Sequence, residues 1–524
     1  VTQNRRILWA DDEIELLRPH VLFLEGRGYE VMTVTSGEDA VRAVAKERFD
    51  AVLLDEQMAG LDGIATLRRI IRLSPGLPVI MITKSEEESL MEEAIGRRID
   101  DYLTKPVNPS QILSALKRLL DSRAINQQHI AQEYVTEFNR INDELDEGLD
   151  WDEWLDLHQR LNRWSIDLAS ERNVELQSLL EQQIDAANFR FNRYIEQHYP
   201  TWLKSERPER PPLSHDIVRE WVAPLLSRSE SVLLLVLDCL RLDHWLALEP
   251  MLREDFEIET DLYYSILPTA TPYSRNSIFS GLLPSEYPKV HPDLYQKLKW
   301  EEDLNVNRFE RQLLDRQLAK LGLSLTPEPK YAKILDPEEA RRVGRRVSDY
   351  FDQPLVSMVF NFVDIVAHHR STEEVIQTLI PDEAAYRSIV RSWFEHSPLR
   401  EMLTAFGKRG VTIVLTSDHG SIRVKQPVQV VADRNTSTNL RYKLGRNLNV
   451  DPKQAVRVKN PESWGVASPT MNSDLLLARG NNYFIYPTGF NKYADKFNDS
   501  FLHGGISLDE MVMPVATMRF KGNR

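Results

Sequence analysis

The chain has 524 residues, 42% hydrophobic and 27% charged, the balance of an ordinary globular protein with material for several domains. Acidic residues outnumber basic ones 79 to 65, a formal charge of −14, which excludes binding nucleic acid through bulk charge and leaves only local basic stretches for phosphate contact. The lone Cys239 excludes an internal disulfide, no charge-free apolar run is long enough to span a bilayer, and the short run Ile7-Leu8-Trp9 does not read as a signal segment, so a cytoplasmic location is expected.

In chain order, residues 1–121 come first. Four short apolar runs, Ile7–Ala10, Glu30–Val34, Ala51–Leu54 and Pro78–Ile82, are separated by helix-length segments, which predicts a parallel sheet with helices on both faces. Ligands in that architecture bind beyond the carboxyl ends of the strands. Asp11 and Asp12 follow the first run, Asp55 the third and Thr83 the fourth, and Lys105 follows a fifth strand ending at Tyr102-Leu103. Three carboxylates crowded at one sheet edge require a hard divalent cation, and Mg²⁺ prefers oxygen ligands. Asp55 then has the chemistry of a phosphoryl acceptor, with Thr83 and Lys105 contacting the added oxygens.

On these residues the segment resembles the receiver domain of two-component response regulators, a flavodoxin-like fold. The resemblance implies phosphorylation of Asp55 by a sensor histidine kinase and Mg²⁺ held by Asp11, Asp12, Asp55 and Gln57. It also assigns Thr83, Tyr102 and Lys105 to the switch. Two departures stand out: Ala59 where proline is usual, and Lys84 where a small residue is common, which bears on access to the phosphoaspartate.

Residues 122–208 form a helical linker. Tyr134, Phe138, Ile141 and Leu145 step by four, three and four, and the rhythm recurs in Trp154–Leu168 and Leu180–Ile195, predicting a three-helix bundle or a hairpin with a coiled partner. Four prolines between Pro200 and Pro212 mark a boundary.

In residues 209–524 three apolar runs each end in an aspartate: Ser231–Asp238, Val356–Asp364 and Val411–Asp418. Runs without alternation predict strands buried on both faces, hence a parallel α/β sheet. His368 lies one helical turn after Asp364, His419 abuts Asp418, and His503-Gly504-Gly505 comes near the last strand. A lone Asp-x-x-x-His is more often a helix-surface pair than a metal site; its conjunction with Asp-His and His-Gly-Gly points to zinc, which takes carboxylate and neutral imidazole. His369 beside His368 leaves the ligand between them open. Thr271, before Pro272, reads as a helix N-cap, the plainest reading, or as a hydroxyl placed where helix amides favour a phosphoryl group.

The order Asp238, Thr271, Asp364, His368, Asp418, His419, His503 resembles the metal-site order of the alkaline phosphatase superfamily, in its PglZ branch. That resemblance implies one zinc held by Asp238, Thr271, Asp418 and His419, a second held by Asp364, His368 and His503, and Thr271 as nucleophile. Receiver, helical linker and PglZ domain in succession resemble the PorX-type response regulators of the type IX secretion system. The expected function is a two-zinc phosphodiesterase acting on nucleotide or oligonucleotide phosphodiesters, controlled by Asp55 phosphorylation and homodimerisation, and regulating protein secretion. The alternative is a phosphorylation-dependent scaffold for a transcription or secretion partner, with hydrolysis vestigial. Nine basic residues lie between Arg423 and Lys459 against Asp433 and Asp451. Of these, Arg423, Lys425, Arg441 and Lys443 are expected to hold a second phosphate, if the stretch is more than a solvated face.

Overall fold

The computed structural model describes residues 5–74, 76–84, 99–171, 173–297, 307–370, 373–433, 436–468, 470 and 472–523. It divides into two compact units, Val1–Glu137 and Phe138–Arg524.

In the first unit, β1 (Arg5–Ala10), β2 (Tyr29–Val34), β3 (Ala51–Asp55), β4 (Val79–Thr83) and β5 (Asp101–Thr104) form a wholly parallel sheet in the order β2-β1-β3-β4-β5. Alternation along the strands sends Trp9, Leu53 and Ile80 into one buried cluster and Leu8, Leu54 and Met81 into another, so both faces are covered. Helices α1 (Arg18–Glu25), α2 (Gly37–Lys46) and α3 (Gly63–Leu73) do the covering. Ser36 caps α2 by accepting from Asp39 N, and Asp62 caps α3 by accepting from Ala65 N. The helix expected between β4 and β5 falls mostly on residues 85–98, outside the described residues.

The three linker helices are α4 (Pro109–Glu147), α5 (Trp151–Glu171) and α6 (Val174–Trp202). Pro200 lies inside α6, so the helix runs past the first of the prolines that the sequence reads as a boundary. The α5 and α6 seams do more than pack helix on helix. Tyr264 Oη donates to Trp151 O at 2.6 Å, Leu267 N donates to Tyr199 Oη at 2.9 Å, and Leu508 N donates to Asn188 Oδ1 at 2.8 Å. Phe191 stacks on Tyr264. Both helices are thus built into the second unit.

The main sheet of that unit has the order β7-β11-β10-β6-β9-β8, with β6 (Val232–Leu237), β7 (Phe256–Tyr264), β8 (Lys330–Ile334), β9 (Leu355–Phe360), β10 (Thr412–Thr416) and β11 (Val512–Phe520). β6, β9 and β10 are buried along their whole length, as their uninterrupted apolar runs predict. The sheet is not wholly parallel: β11 runs antiparallel to both neighbours, whereas β8, β9, β6 and β10 are mutually parallel and send their carboxyl ends to one edge.

Candidate functional site

Each unit gathers acids at the carboxyl edge of its sheet. In the first, ligand oxygens of Asp11, Asp12 and Asp55 lie within 4.8 Å of one another. Lys105 Nζ bridges two of them, 3.1 Å from Asp11 Oδ2 and 2.9 Å from Asp55 Oδ2. Burial raises the Asp55 pKa, and Asp11 and Asp12 add to the rise against the opposing pull of Lys105. A divalent cation would relieve that repulsion, so the acids fit Mg²⁺. Gln57 and Lys84 line the same 660 Å³ cavity with Asp12 and Asp55. Thr83 Oγ1 donates to Glu56, a partner the sequence reading did not single out although it adjoins Asp55. Tyr102 is 47% exposed, so the switch aromatic points outward.

The second unit holds two ligand sets. Asp238 follows β6, and its amide donates to Phe360 O of β9. Cys239 then turns the chain with a left-handed φ of +65°, directing its own amide to Asp418 Oδ1 at 3.3 Å. Asp418 and His419 follow β10; a Cβ on Gly420 would stand 2.0 Å from Asp509 O, so only glycine fits after the pair. Asp364 does not end a strand, contrary to the sequence expectation: β9 stops at Phe360, and Asp364 sits in the first turn of helix α8 (Phe362–Arg370). Apolar residues continue from the strand into the buried face of the helix, which hides the junction. On that helix Asp364 and His368 share a face at i, i+4, while His369 turns to Glu373 Oε1 at 2.7 Å, settling which of the two histidines joins the cluster.

His368 Nε2 lies 3.3 Å from Asp364 Oδ1 and 3.3 Å from His503 Nε2, and His503 Nε2 is 3.6 Å from Asp364 Oδ1. In the other set His419 Nε2 is 3.7 Å from Asp238 Oδ1 and 3.8 Å from Asp418 Oδ2. The His419 and His503 rings stack at 4.2 Å, so the sets are adjacent. His503 Nδ1 donates to Thr269 O and His419 Nδ1 to Gly420 O, which leaves each Nε2 with its lone pair facing the carboxylates.

Thr271 Oγ1 stands beside the Asp238, Asp418 and His419 set, 3.0 Å from His419 Nε2 and 3.5 Å from Asp238 Oδ1. It begins helix α7 (Thr271–Ser280), but the cap is Ala270, with extended backbone and no side-chain cap bond. The N-cap reading of Thr271 is therefore corrected by one residue, and its hydroxyl is not spent on the helix.

Two observations test whether these residues fit metal ions. Asp364 Oδ1 and Asp418 Oδ2 are buried and, among the described residues, have no hydrogen-bond donor. Burial and the neighbouring Asp418 push Asp238 up, and burial pushes Asp418 up to about 6, so the single guanidinium of Arg275 does not offset the buried charge. Although burial alone would raise it, the neighbouring His368 holds Asp364 well below the usual carboxylate range. Burial lowers His419 and His503, keeping both imidazoles neutral. Neutral imidazoles and carboxylates of this arrangement fit a pair of zinc ions.

The sequence reading missed Arg275. One turn after Thr271, it is buried, donates to Asp238 and to Glu310, and lies 3.9 Å from Asp418 Oδ2. The signal was its i+4 spacing from Thr271; its partner Glu310 lies far along the chain and carries no motif.

The basic stretch does not line the site as expected. Arg441 is wholly buried and paired with Glu510, its Nε donating to Oε1 at 3.0 Å. Lys443 is buried and donates to the carbonyls of Ser437 and Thr438. Arg423 pairs with Asp499 at 3.1 Å and Lys425 with Glu181 of α6 at 3.2 Å. Each is taken up by these partners, two inside the fold and two nearer the surface, which sequence proximity to His419 could not reveal.

Comparison with known proteins follows the same division. The model of the response regulator receiver domain matches residues 7–117, that of the PorX response regulator linker domain residues 124–203, and that of the BREX system PglZ alkaline phosphatase-like domain residues 217–518. Over 119 residues the chain is 32% identical to the alkaline phosphatase synthesis transcriptional regulatory protein PhoP of Bacillus subtilis, covering 22% of this chain and 49% of that one. Over 117 residues it is 37% identical to the transcriptional regulatory protein ZraR of Escherichia coli, covering 22% and 26%. The chain thus spans half or less of the length of these curated relatives. Among solved structures it is similar to a CheY-like receiver domain protein from Methanospirillum hungatei, at 32% identity and a TM-score of 0.21, covering 22% of this chain and 94% of that one.

Proposed function

The chain belongs to the PglZ alkaline phosphatase-like family and, with a receiver and a PorX linker ahead of that domain, is a PorX-type response regulator; from that premise we propose that it is a two-zinc phosphodiesterase controlled by phosphorylation of Asp55. The observation that carries the reading is Thr271 Oγ1, unspent on capping, 3.0 Å from His419 Nε2 in the first of two adjacent Asp/His sets. A scaffold has no use for such a hydroxyl.

Asp238, Asp418 and His419 with Thr271 would hold one zinc, and Asp364, His368 and His503 the other. Bound there, such a pair supplies Lewis acidity that lowers a hydroxyl pKa and stabilises charge on a phosphoryl group. Thr271 Oγ forms the bond to phosphorus as the ester oxygen departs, and water later releases the phosphoryl group from the threonine. The first-turn amides of α7 favour the anion. Arg275 holds Asp238 in place from behind.

The substrate class is a phosphodiester of nucleotide type. The threonine nucleophile supports it, as in the nucleotide phosphodiesterases that the superfamily resemblance brings in. So does the ligand inventory: among the described residues the second unit gathers metal-competent acids and histidines in these two sets, and a diester in flight carries less negative charge and needs fewer cations. In the receiver, a sensor kinase supplies the phosphoryl group, Asp11, Asp12, Asp55 and Gln57 would hold Mg²⁺, and Lys105 and Thr83 meet the added oxygens. Reburial of Tyr102 then drives homodimerisation, through which the chain regulates protein secretion. Among the described residues no helix is long and apolar enough to cross a membrane.

The test compares bis-p-nitrophenyl phosphate with p-nitrophenyl phosphate at matched pH and zinc. A diester preference is expected. A monoester preference of about tenfold in kcat/KM, roughly 1.4 kcal/mol, would overturn the diesterase reading while sparing the metal sets. Beryllofluoride should raise the sedimentation coefficient of the wild type and not of Asp55→Ala; an unchanged wild type removes the dimer.

A further inference from the structure

A cavity of 740 Å³ opens beside β8, the edge strand of the main sheet of the second unit. Its size falls within the range of about 300–1,000 Å³ that holds small-molecule ligands. Lys330, Lys333, Arg342 and Arg346 line it together with the rings of Tyr331 and Tyr350. Its carboxylates are largely taken: Glu339 pairs with Arg342 at 2.9 Å and Glu328 with Arg311 at 3.5 Å. Lys330 Nζ donates to the carbonyl of Asp349 and lies 5.5 Å from the centre of the Tyr350 ring. Among the described residues Lys333 and Arg346 make no ion pair; Lys333 is attracted by Glu310 from outside the cavity, and within the lining Asp349 is the one carboxylate left beside three cations. Such a surplus runs against the chain as a whole, whose formal charge is −14. Clustered cations beside aromatic rings in a concavity suit a ligand that presents both phosphate and a flat ring.

One wall residue reaches out of the cavity. Tyr331 Oη donates to Glu310, Glu310 accepts from Arg275 Nε, and Arg275 Nη1 donates to Asp238. Every link beyond the tyrosine is buried, and each is a charge-assisted bond. Arg275 and Glu310 are each held from two sides, so a shift of Tyr331 is passed on to the carboxylate at the end of β6.

We propose that this cavity binds a nucleotide-sized phosphate ester, and that its occupation is transmitted to the Asp238 end of the metal centre through Tyr331, Glu310 and Arg275. The transmission rests on the two-zinc reading of that centre; the binding does not.

The probe is α,β-methylene-ATP, whose α–β bridge a nucleotide phosphodiesterase cannot cleave, titrated calorimetrically into the full chain. The wild type is expected to bind it saturably, Lys333→Met and Arg346→Glu each to weaken it at least tenfold, and His368→Ala to leave it unchanged. Arg346 is exposed, so its reversal keeps the fold testable. Absence of saturable binding to the wild type, or weakening by His368→Ala but not by Arg346→Glu, would overturn the site. Transmission is read by hydrogen exchange in the peptide spanning Leu267–Ser280. The same analogue should slow exchange there at least threefold in the wild type and not in Tyr331→Phe. An equal response in both, or none in a wild type that binds the nucleotide, overturns the coupling and leaves the binding site standing; neither readout depends on hydrolysis, so a failure of the phosphodiesterase assay is a separate result.

Discussion

Both units place buried carboxylates at the ends of parallel strands, and both set one internal cation among them, but the cations differ. In the receiver it is Lys105, on a flexible stem and 17% exposed, touching Asp11 and Asp55 from the open side. In the second unit it is Arg275, 1% exposed, its fork held between Asp238 and Glu310. A lysine can swing to meet an incoming phosphoryl group, whereas a buried, doubly paired guanidinium is fixed. The ligand sets differ in the same sense. Oxygen alone in the receiver suits Mg²⁺ and a carboxylate that keeps its phosphoryl group, while the imidazoles of the second centre suit zinc and turnover. On the proposed reading, a site that switches and a site that turns over differ in how firmly the internal cation is held.

The largest expected effect separates the two sites outright. Asp55→Ala should abolish labelling of the receiver by a small-molecule phosphodonor while the zinc content of the chain stays as in the wild type. Residual labelling at another acid of the cluster would break the assignment. Next, Arg275→Met should destabilise the metal-stripped chain by about 3–5 kcal/mol in urea, the cost of leaving buried carboxylates without their cation. Lys105→Met should cost less than half as much, because water reaches Lys105; equal losses would erase the contrast between held and movable cations. Smaller again is Tyr199→Phe, which leaves the amide of Leu267 without its acceptor at about 1–3 kcal/mol and loosens the approach to Thr271. Lys425→Ala, an exposed pair with Glu181, should leave the melting temperature unchanged.

What the sequence made legible follows from chemistry that concentrates locally. Asp-His and Asp-x-x-x-His declare themselves because strand ends and helical turns bring near neighbours together, and the receiver acids each mark the end of a strand. Distant pairings leave no such mark. Nothing near Arg275 names Glu310, and nothing near Arg441 names Glu510, so the first was overlooked and the second was read as free charge. The junction between β9 and α8 was blurred because both elements bury apolar residues, and apolar content alone does not separate them. The antiparallel course of β11 was equally hidden, since a buried strand reads alike in either direction.

The central claim is that Thr271 is the nucleophile of a two-zinc centre, and one measurement addresses it directly: turnover of bis-p-nitrophenyl phosphate by wild type and Thr271→Ala, with zinc counted in the same samples. The account predicts a loss of about a thousandfold or more in the variant with the zinc content of the wild type. Turnover within tenfold of the wild type at equal zinc content would contradict it.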